Sequence, residues 1–127
     1  MKEVVIIDDS PHILRVLVNF FAKELQFSVL ATGDDGNAAV DLYRKHKPAL
    51  LTLDITMPNM NGITATEKIM HEFPDARILI ITAARGKEHR ACLALGARSV
   101  VFKPLRMSDP VFVTEFRHTV EAVMAAC

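Results

Sequence analysis

A chain of 127 residues, half of them apolar and about a quarter charged, has the size of one folded domain and is too apolar to remain disordered. Fifteen basic residues balance fifteen acidic ones, so no net field favours nucleic acid, and direct nucleic-acid binding by this chain is not expected. Near the start only Val4 to Ile7 run as consecutive apolar residues, too few for a signal peptide or a membrane span; the expectation is one cytoplasmic domain over residues 1–127 with no membrane association.

Five short apolar runs alternate with longer helical patterns, the arrangement of βα units around a parallel sheet buried on both faces, which predicts an α/β three-layer sandwich. The first strand is Val4 to Ile7. A helix follows, with Ser10 as cap, Pro11 in its first turn, and Ile13, Val16, Leu17, Phe20 and Phe21 as one apolar stripe. The second strand, Ser28 to Ala31, leads through the turn Gly33-Asp34-Asp35-Gly36 to a helix from about Asn37 to His46. That helix turns Ala39, Leu42 and Tyr43 inward, and Lys47-Pro48 ends it.

The third strand is Leu50 to Leu53. The helix after Gly62 carries Ile63, Thr66, Met70 and Phe73 at helical spacing and cannot continue through Pro74. A fourth strand, Ile78 to Ile81, precedes a weaker helix over Lys87 to Leu95 that Gly96 closes. After the last strand, Val100 to Phe102, the sequence Ser108-Asp109-Pro110 starts a helix that buries Val113, Phe116, Val120 and Val123 and reaches almost to Cys127. No linker, repeat or low-complexity tail is evident, so no second domain is expected in this chain.

Cys92 and Cys127 have neither a CxxC nor a Cys/His metal spacing, which argues against zinc and against a disulfide framework. The histidines, His12, His46, His71, His89 and His118, are scattered through predicted helices and are read as residues of solvated helix faces.

The informative residues follow the strands: Asp8-Asp9 after the first, Asp54 after the third, Thr82 after the fourth and Lys103 after the fifth. In an open parallel sheet the carboxyl ends share one edge, where ligands collect at the change of strand order. Taken singly, each residue has an ordinary structural use as a helix cap, a turn former or a surface charge. Together they predict three crowded carboxylates that either take up protons or bind a hard dication through oxygen, for which Mg²⁺ is the natural candidate. In such a crevice Asp54 can act as a carboxylate nucleophile toward phosphorus, with Lys103 and the metal offsetting charge and Thr82 donating its hydroxyl.

Three phrases carry a resemblance that covers essentially the whole chain: Asp8-Asp9-Ser10; Asp54-Ile55-Thr56-Met57-Pro58-Asn59-Met60-Asn61-Gly62; and Lys103-Pro104. They resemble the response-regulator receiver family, and the middle phrase is similar to single-domain chemotaxis regulators of the CheY type. The resemblance implies a flavodoxin-like, doubly wound five-stranded sheet of order 2-1-3-4-5 with five helices. It implies that Asp54 accepts phosphate from a sensor histidine kinase, that Asp9, Asp54 and the backbone carbonyl of Thr56 ligate Mg²⁺, and that Asp8 assists through water. Lys103-Pro104 is expected to be cis. Phosphorylation is expected to move the Thr82 loop and switch the surface of helix 4, strand 5 and helix 5 toward a downstream effector protein. The molecule would then be a stoichiometric phosphoacceptor and not a turnover enzyme, a monomer or a weak phosphorylation-dependent dimer.

Two positions depart from or tune that pattern. The family often carries Tyr or Phe three residues before the lysine, where this chain has Val100, so the switch, which involves Thr82, Val100 and Pro104, is expected to proceed without an aromatic gate. Thr56 and Ala84, two positions beyond Asp54 and Thr82, resemble family positions that flank the approach of water, and the small Ala84 predicts hydrolysis that is not unusually slow. The competing readings are a receiver belonging to a longer regulator such as a transcription factor, a degenerate receiver that binds partners unphosphorylated, a dehalogenase-like phosphatase, and a flavin carrier of the same fold. The phosphatase motif needs an Asp where Thr56 stands, and the Asp8-Asp9 pair would repel a flavin phosphate.

Overall fold

In a computed structural model that describes residues 2–125, five parallel strands, β1 (Glu3–Ile7), β2 (Ser28–Gly33), β3 (Leu50–Leu53), β4 (Ile78–Thr82) and β5 (Ser99–Phe102), lie in the order β2-β1-β3-β4-β5. The helices that connect and follow them are α1 (Pro11–Asn19), α2 (Gly36–His46), α3 (Gly62–Glu72), α4 (Lys87–Leu95) and α5 (Pro110–Ala125).

The central strands are unbroken aliphatic runs because both of their faces are covered. Successive side chains of a strand point to opposite faces, so each run divides itself between two cores. Val5, Ile7, Leu51, Leu53, Ile78 and Ile80 pack with Ala39, Val40 and Tyr43 of α2, Ala65 and Ile69 of α3 and Cys92 of α4. Their neighbours Val4, Ile6, Leu50, Leu79 and Ile81 face the other way, onto Leu17 of α1 and Phe116, Val120 and Val123 of α5. The architecture expected from the alternation of elements is the one observed.

Boundaries differ from the expectation where local hydrogen bonding decides. The apolar stripe of the first helix continues past Asn19 as a π-helical turn, Phe20–Glu24, closed by Leu25 N–H to the Phe20 carbonyl at 3.0 Å. The widened turn keeps both Phe20 and Phe21 buried against Phe116; Ile13 and Val16 of the same stripe are only half-buried. Asp35 caps α2 by accepting from Ala38 N–H at 2.8 Å, so the helix begins at Gly36 and not at Asn37. β2 runs on to Gly33. Asp109 is the polar group at the start of α5, accepting from Val111 N–H at 2.9 Å, and Val113 is half-buried where full burial was expected. Cys127 lies outside the described residues.

Register places the site. β1 and β3 are neighbours across the reversal of strand order, with Ile7 paired to Leu53, and β4 and β5 pair Thr82 with Phe102. The next residues are therefore also adjacent: Asp54 N–H bonds the Ile7 carbonyl at 3.1 Å and Lys103 N–H the Thr82 carbonyl at 2.9 Å. Two glycines let the covering loops close in. Gly36 N–H bonds the Met60 carbonyl at 2.8 Å, and a Cβ on Gly62 would stand 2.2 Å from the Asp54 carbonyl oxygen. Gly62→Ala should therefore overpack the Asp54 backbone and lower stability by about 1–3 kcal/mol in urea unfolding; a loss under about 0.5 kcal/mol would show that the loop yields freely.

Candidate functional site

The carboxyl edge of the sheet brings Asp8, Asp9, Asp54, Thr82 and Lys103 together; Thr82 ends β4, which extends one residue further than expected, and the others follow β1, β3 and β5. Asp8 is fully buried and Asp54 is 4 % exposed, while Asp9 is exposed at the rim. One carboxylate oxygen from each of the three lies within 4.8 Å of the others. Two like charges at that separation repel by roughly 3–4 kcal/mol at an effective dielectric near 20, so the cluster needs cations.

Lys103 supplies one. Its Nζ lies 2.8 Å from Asp8 Oδ2 and donates to Asp54 Oδ2 at 3.0 Å. Backbone amides hold the other oxygens: Ser10 N–H donates to Asp8 Oδ1 at 3.0 Å, and Ile55 N–H to Asp54 Oδ1 at 2.7 Å. Lys103 thus bridges the enclosed Asp8 Oδ2 and Asp54 Oδ2 in one short ion-paired contact on each side. Three negative charges against one positive leave an excess of two, and the donors are hard oxygens. That balance of charge, with one oxygen of each of the three carboxylates within 4.8 Å of the others, fits Mg²⁺.

Electrostatics follow the same geometry. Burial pushes the Asp8 carboxyl above its ordinary value, the Asp54 charge adds to that, and Lys103 and the Ser10 amide pull against it without prevailing. Burial alone would lower the Lys103 ammonium; hydrogen bonds and charge from Asp8 and Asp54 outweigh burial and hold it above its ordinary value.

Thr82 is 1 % exposed, and its Oγ1 accepts from Ala84 N–H at 3.1 Å; an accepting hydroxyl keeps its own hydrogen to donate. Ala84 is half-buried, Thr56 is exposed in the loop after β3, and the Lys103-Pro104 peptide is cis. Val100 is half-buried against the core under α2, α3 and α4. Sequence reasoning missed its partner on the same strand face. Phe102, two residues on, makes an edge contact with the His89 ring at 4.9 Å and lies under the Arg85 guanidinium at 4.3 Å. Strand alternation could have found Phe102, but not its neighbours. His12, His71 and His118 are exposed as expected; His46 is half-buried, and His89 is half-buried with Nδ1 enclosed, because α4 turns it toward β5.

The sequence matches the family described as the response regulator receiver domain over residues 4–111. It is 35% identical over 112 residues to the chemotaxis protein CheY of Thermotoga maritima, covering 87% of this chain and 92% of that one. It is 32% identical over 124 residues to the protein-glutamate methylesterase/protein-glutamine glutaminase 4 of Myxococcus xanthus, covering 96% of this chain but 35% of that protein. The chain thus spans about a third of the length of that relative, as it does of DegU from Brevibacillus brevis. Among solved structures, the CheX-CheY-BeF3-Mg complex of Borrelia burgdorferi contains a chain of the same fold with a TM-score of 0.87 and 33% identity, covering 98% of this chain and 90% of that one.

The raised Asp8 carboxyl makes stability depend on pH. A carboxyl that holds its proton more tightly in the folded chain contributes stability that is present below its unfolded value of 3.8 and lost as pH rises through the folded value. Asp8→Asn removes that loss. With a chelator at pH 7 the variant should be more stable than the wild type, with the difference vanishing as pH falls below the unfolded value of 3.8. Thermal unfolding across pH measures this, and a variant less stable at pH 7 would contradict it.

Proposed function

The chain belongs to the response regulator receiver domain family, and from that premise we propose that it is the phosphoacceptor of a two-component system, taking a phosphoryl group from a sensor histidine kinase onto Asp54. The observation that carries the assignment is Lys103 Nζ, within 3.0 Å of both Asp8 and Asp54 at the carboxyl edge of the sheet, with Asp9 completing the carboxylate cluster.

Each residue has a task in this reading. Asp54 Oδ1 is held by the Ile55 amide and Oδ2 accepts from Lys103 Nζ; Oδ2, beside the ammonium that would offset the incoming charge, is the oxygen assigned to attack phosphorus. The P–N bond of the donor breaks, an acyl phosphate forms, and the donor imidazole leaves with its bonding pair. Lys103 keeps its positive charge beside the transferred oxygens, and the Thr82 hydroxyl donates to one of them. Asp9, Asp54 and the Thr56 carbonyl would hold Mg²⁺, with Asp8 reaching it through water; bound there, the ion offsets negative charge on the phosphoryl oxygens. Thr56 and Ala84 flank the path of hydrolytic water.

The output assigned here is a change in the α4, β5 and α5 surface, read by an effector protein, with Val100 and Pro104 in the part that moves. The CheY relatives support a role in chemotaxis and a free-standing cytoplasmic molecule; no described helix is long and apolar enough to cross a membrane. The long relatives, of which this sequence spans about a third, support a second reading in which the receiver regulates an attached output domain.

Incubation with Mg²⁺ and phosphoramidate should add the mass of one phosphoryl group to the intact chain and none to Asp54→Asn. A gain retained by that variant would move the acceptor elsewhere. Lys103→Ala should slow the reaction by roughly a hundredfold while preserving the fold, since one preorganised charge beside the transferred group is worth about that much. The phosphoryl lifetime after removal of the donor is expected to fall short of days.

A further inference from the structure

Three side chains that the proposed chemistry does not use meet on the α4 side of β5. The Phe102 ring is met edge-on by His89 of α4, with centroids 4.9 Å apart and planes at 90°. The guanidinium of Arg85, in the loop between β4 and α4, lies over the same ring 4.3 Å from its centroid. Arg85 Nη2 also donates to the main-chain carbonyl of Lys103 at 3.3 Å. Lys103 in turn carries the ammonium between Asp8 and Asp54. An unbroken series of contacts therefore joins α4 to the carboxylate cluster through His89, Phe102, Arg85 and the Lys103 backbone.

We infer that Arg85 and Phe102 are positioning residues for Lys103, a clamp that fastens the β4–α4 loop to the Lys103-Pro104 segment and ties the placement of α4 to that of the ammonium beside Asp54. The inference rests on Asp54 as the phosphoacceptor, because a group added there is what the clamp would transmit.

The chemistry of the pair suits this. A guanidinium is planar, so it can stack over an aromatic ring and still direct edge N–H groups to a carbonyl, a planar fork that a lysine ammonium lacks. Phe102 shares its strand face with Val100 and brings an aromatic group to that face. His89 Nδ1 is buried with no hydrogen-bond partner among the described residues, so this side chain meets Phe102 by ring contact and is not anchored through that nitrogen. Coupling of this kind is reciprocal: what shifts the cluster biases α4, and what grips α4 biases Lys103.

The test uses the full chain with Arg85→Ala, Phe102→Leu and Phe102→Trp, following initial phosphorylation by phosphoramidate and Mg²⁺ through intact mass. Arg85→Ala and Phe102→Leu should each slow the reaction about tenfold, because a small misplacement of a charged group is costly. The double variant should be about as slow as either alone, because both changes break one clamp. Phe102→Trp, which keeps an aromatic face for the guanidinium, should stay within about twofold of wild type. Since the chain has no tryptophan of its own, tryptophan emission selectively excited in this variant arises at position 102, and it should change when Arg85→Ala is added with no phosphoryl donor present. Wild-type rates in both single variants, independent effects in the double variant, or emission indifferent to Arg85 would each overturn the inference. If wild type itself takes up no phosphoryl group, the Asp54 assignment fails, while the emission comparison still decides whether the clamp exists. Should Phe102→Leu fail to fold, Arg85→Ala with and without Phe102→Trp decides the same question.

Discussion

One ammonium among three carboxylates is the constraint around which this molecule is organised. Lys103 cannot neutralise Asp8, Asp9 and Asp54 together, and burial, with the Asp54 charge adding to it, holds the Asp8 carboxyl above its ordinary range. A site left short of positive charge is a poor structural element and a good receptor for a dication. In the proposed function it would also meet a transferring phosphoryl group with Lys103 already in place, leaving little reorganisation for the reaction. Chemical competence and local instability have the same source here.

The sheet makes that crowding possible. Strand order reverses between β1 and β3, so the residues after them emerge side by side without a helix between them. The backbone bonds that continue the ladder, Asp54 N–H to Ile7 and Lys103 N–H to Thr82, carry strand register one residue beyond the strands and into the loops. Close approach at Gly36 and Gly62 then seats the covering loops. The aromatic cluster of Phe20, Phe21, Phe27 and Phe116 lies on the opposite core and serves stability. The two cores divide the labour: α1 and α5 pack over the second, while α2, α3 and α4 cover the first.

Much of this was legible in residue order. Central strands betray themselves by aliphatic runs that burial on both faces demands, and strand-end acids, threonine and lysine stand out because charge is rare beside such runs. Legibility failed where a partner is distant in sequence. The π-helical turn after Asn19 depends on packing against Phe116 and Phe27, and α-helical periodicity alone could not separate it from the helix before it. His89 looked like one more solvated histidine because nothing local says that β5 lies beneath it.

By itself the sequence determined the layered fold, the five strands, and the identity of the residues at their carboxyl ends, since all of these follow from periodicity and from the cost of burying charge. Only the tertiary structure decided which oxygen of Asp54 faces Lys103, which carboxylate is enclosed, and that Arg85 and His89 close on Phe102. Those are distances between residues from separate βα units, set by sheet register and helix placement, and no local pattern encodes them.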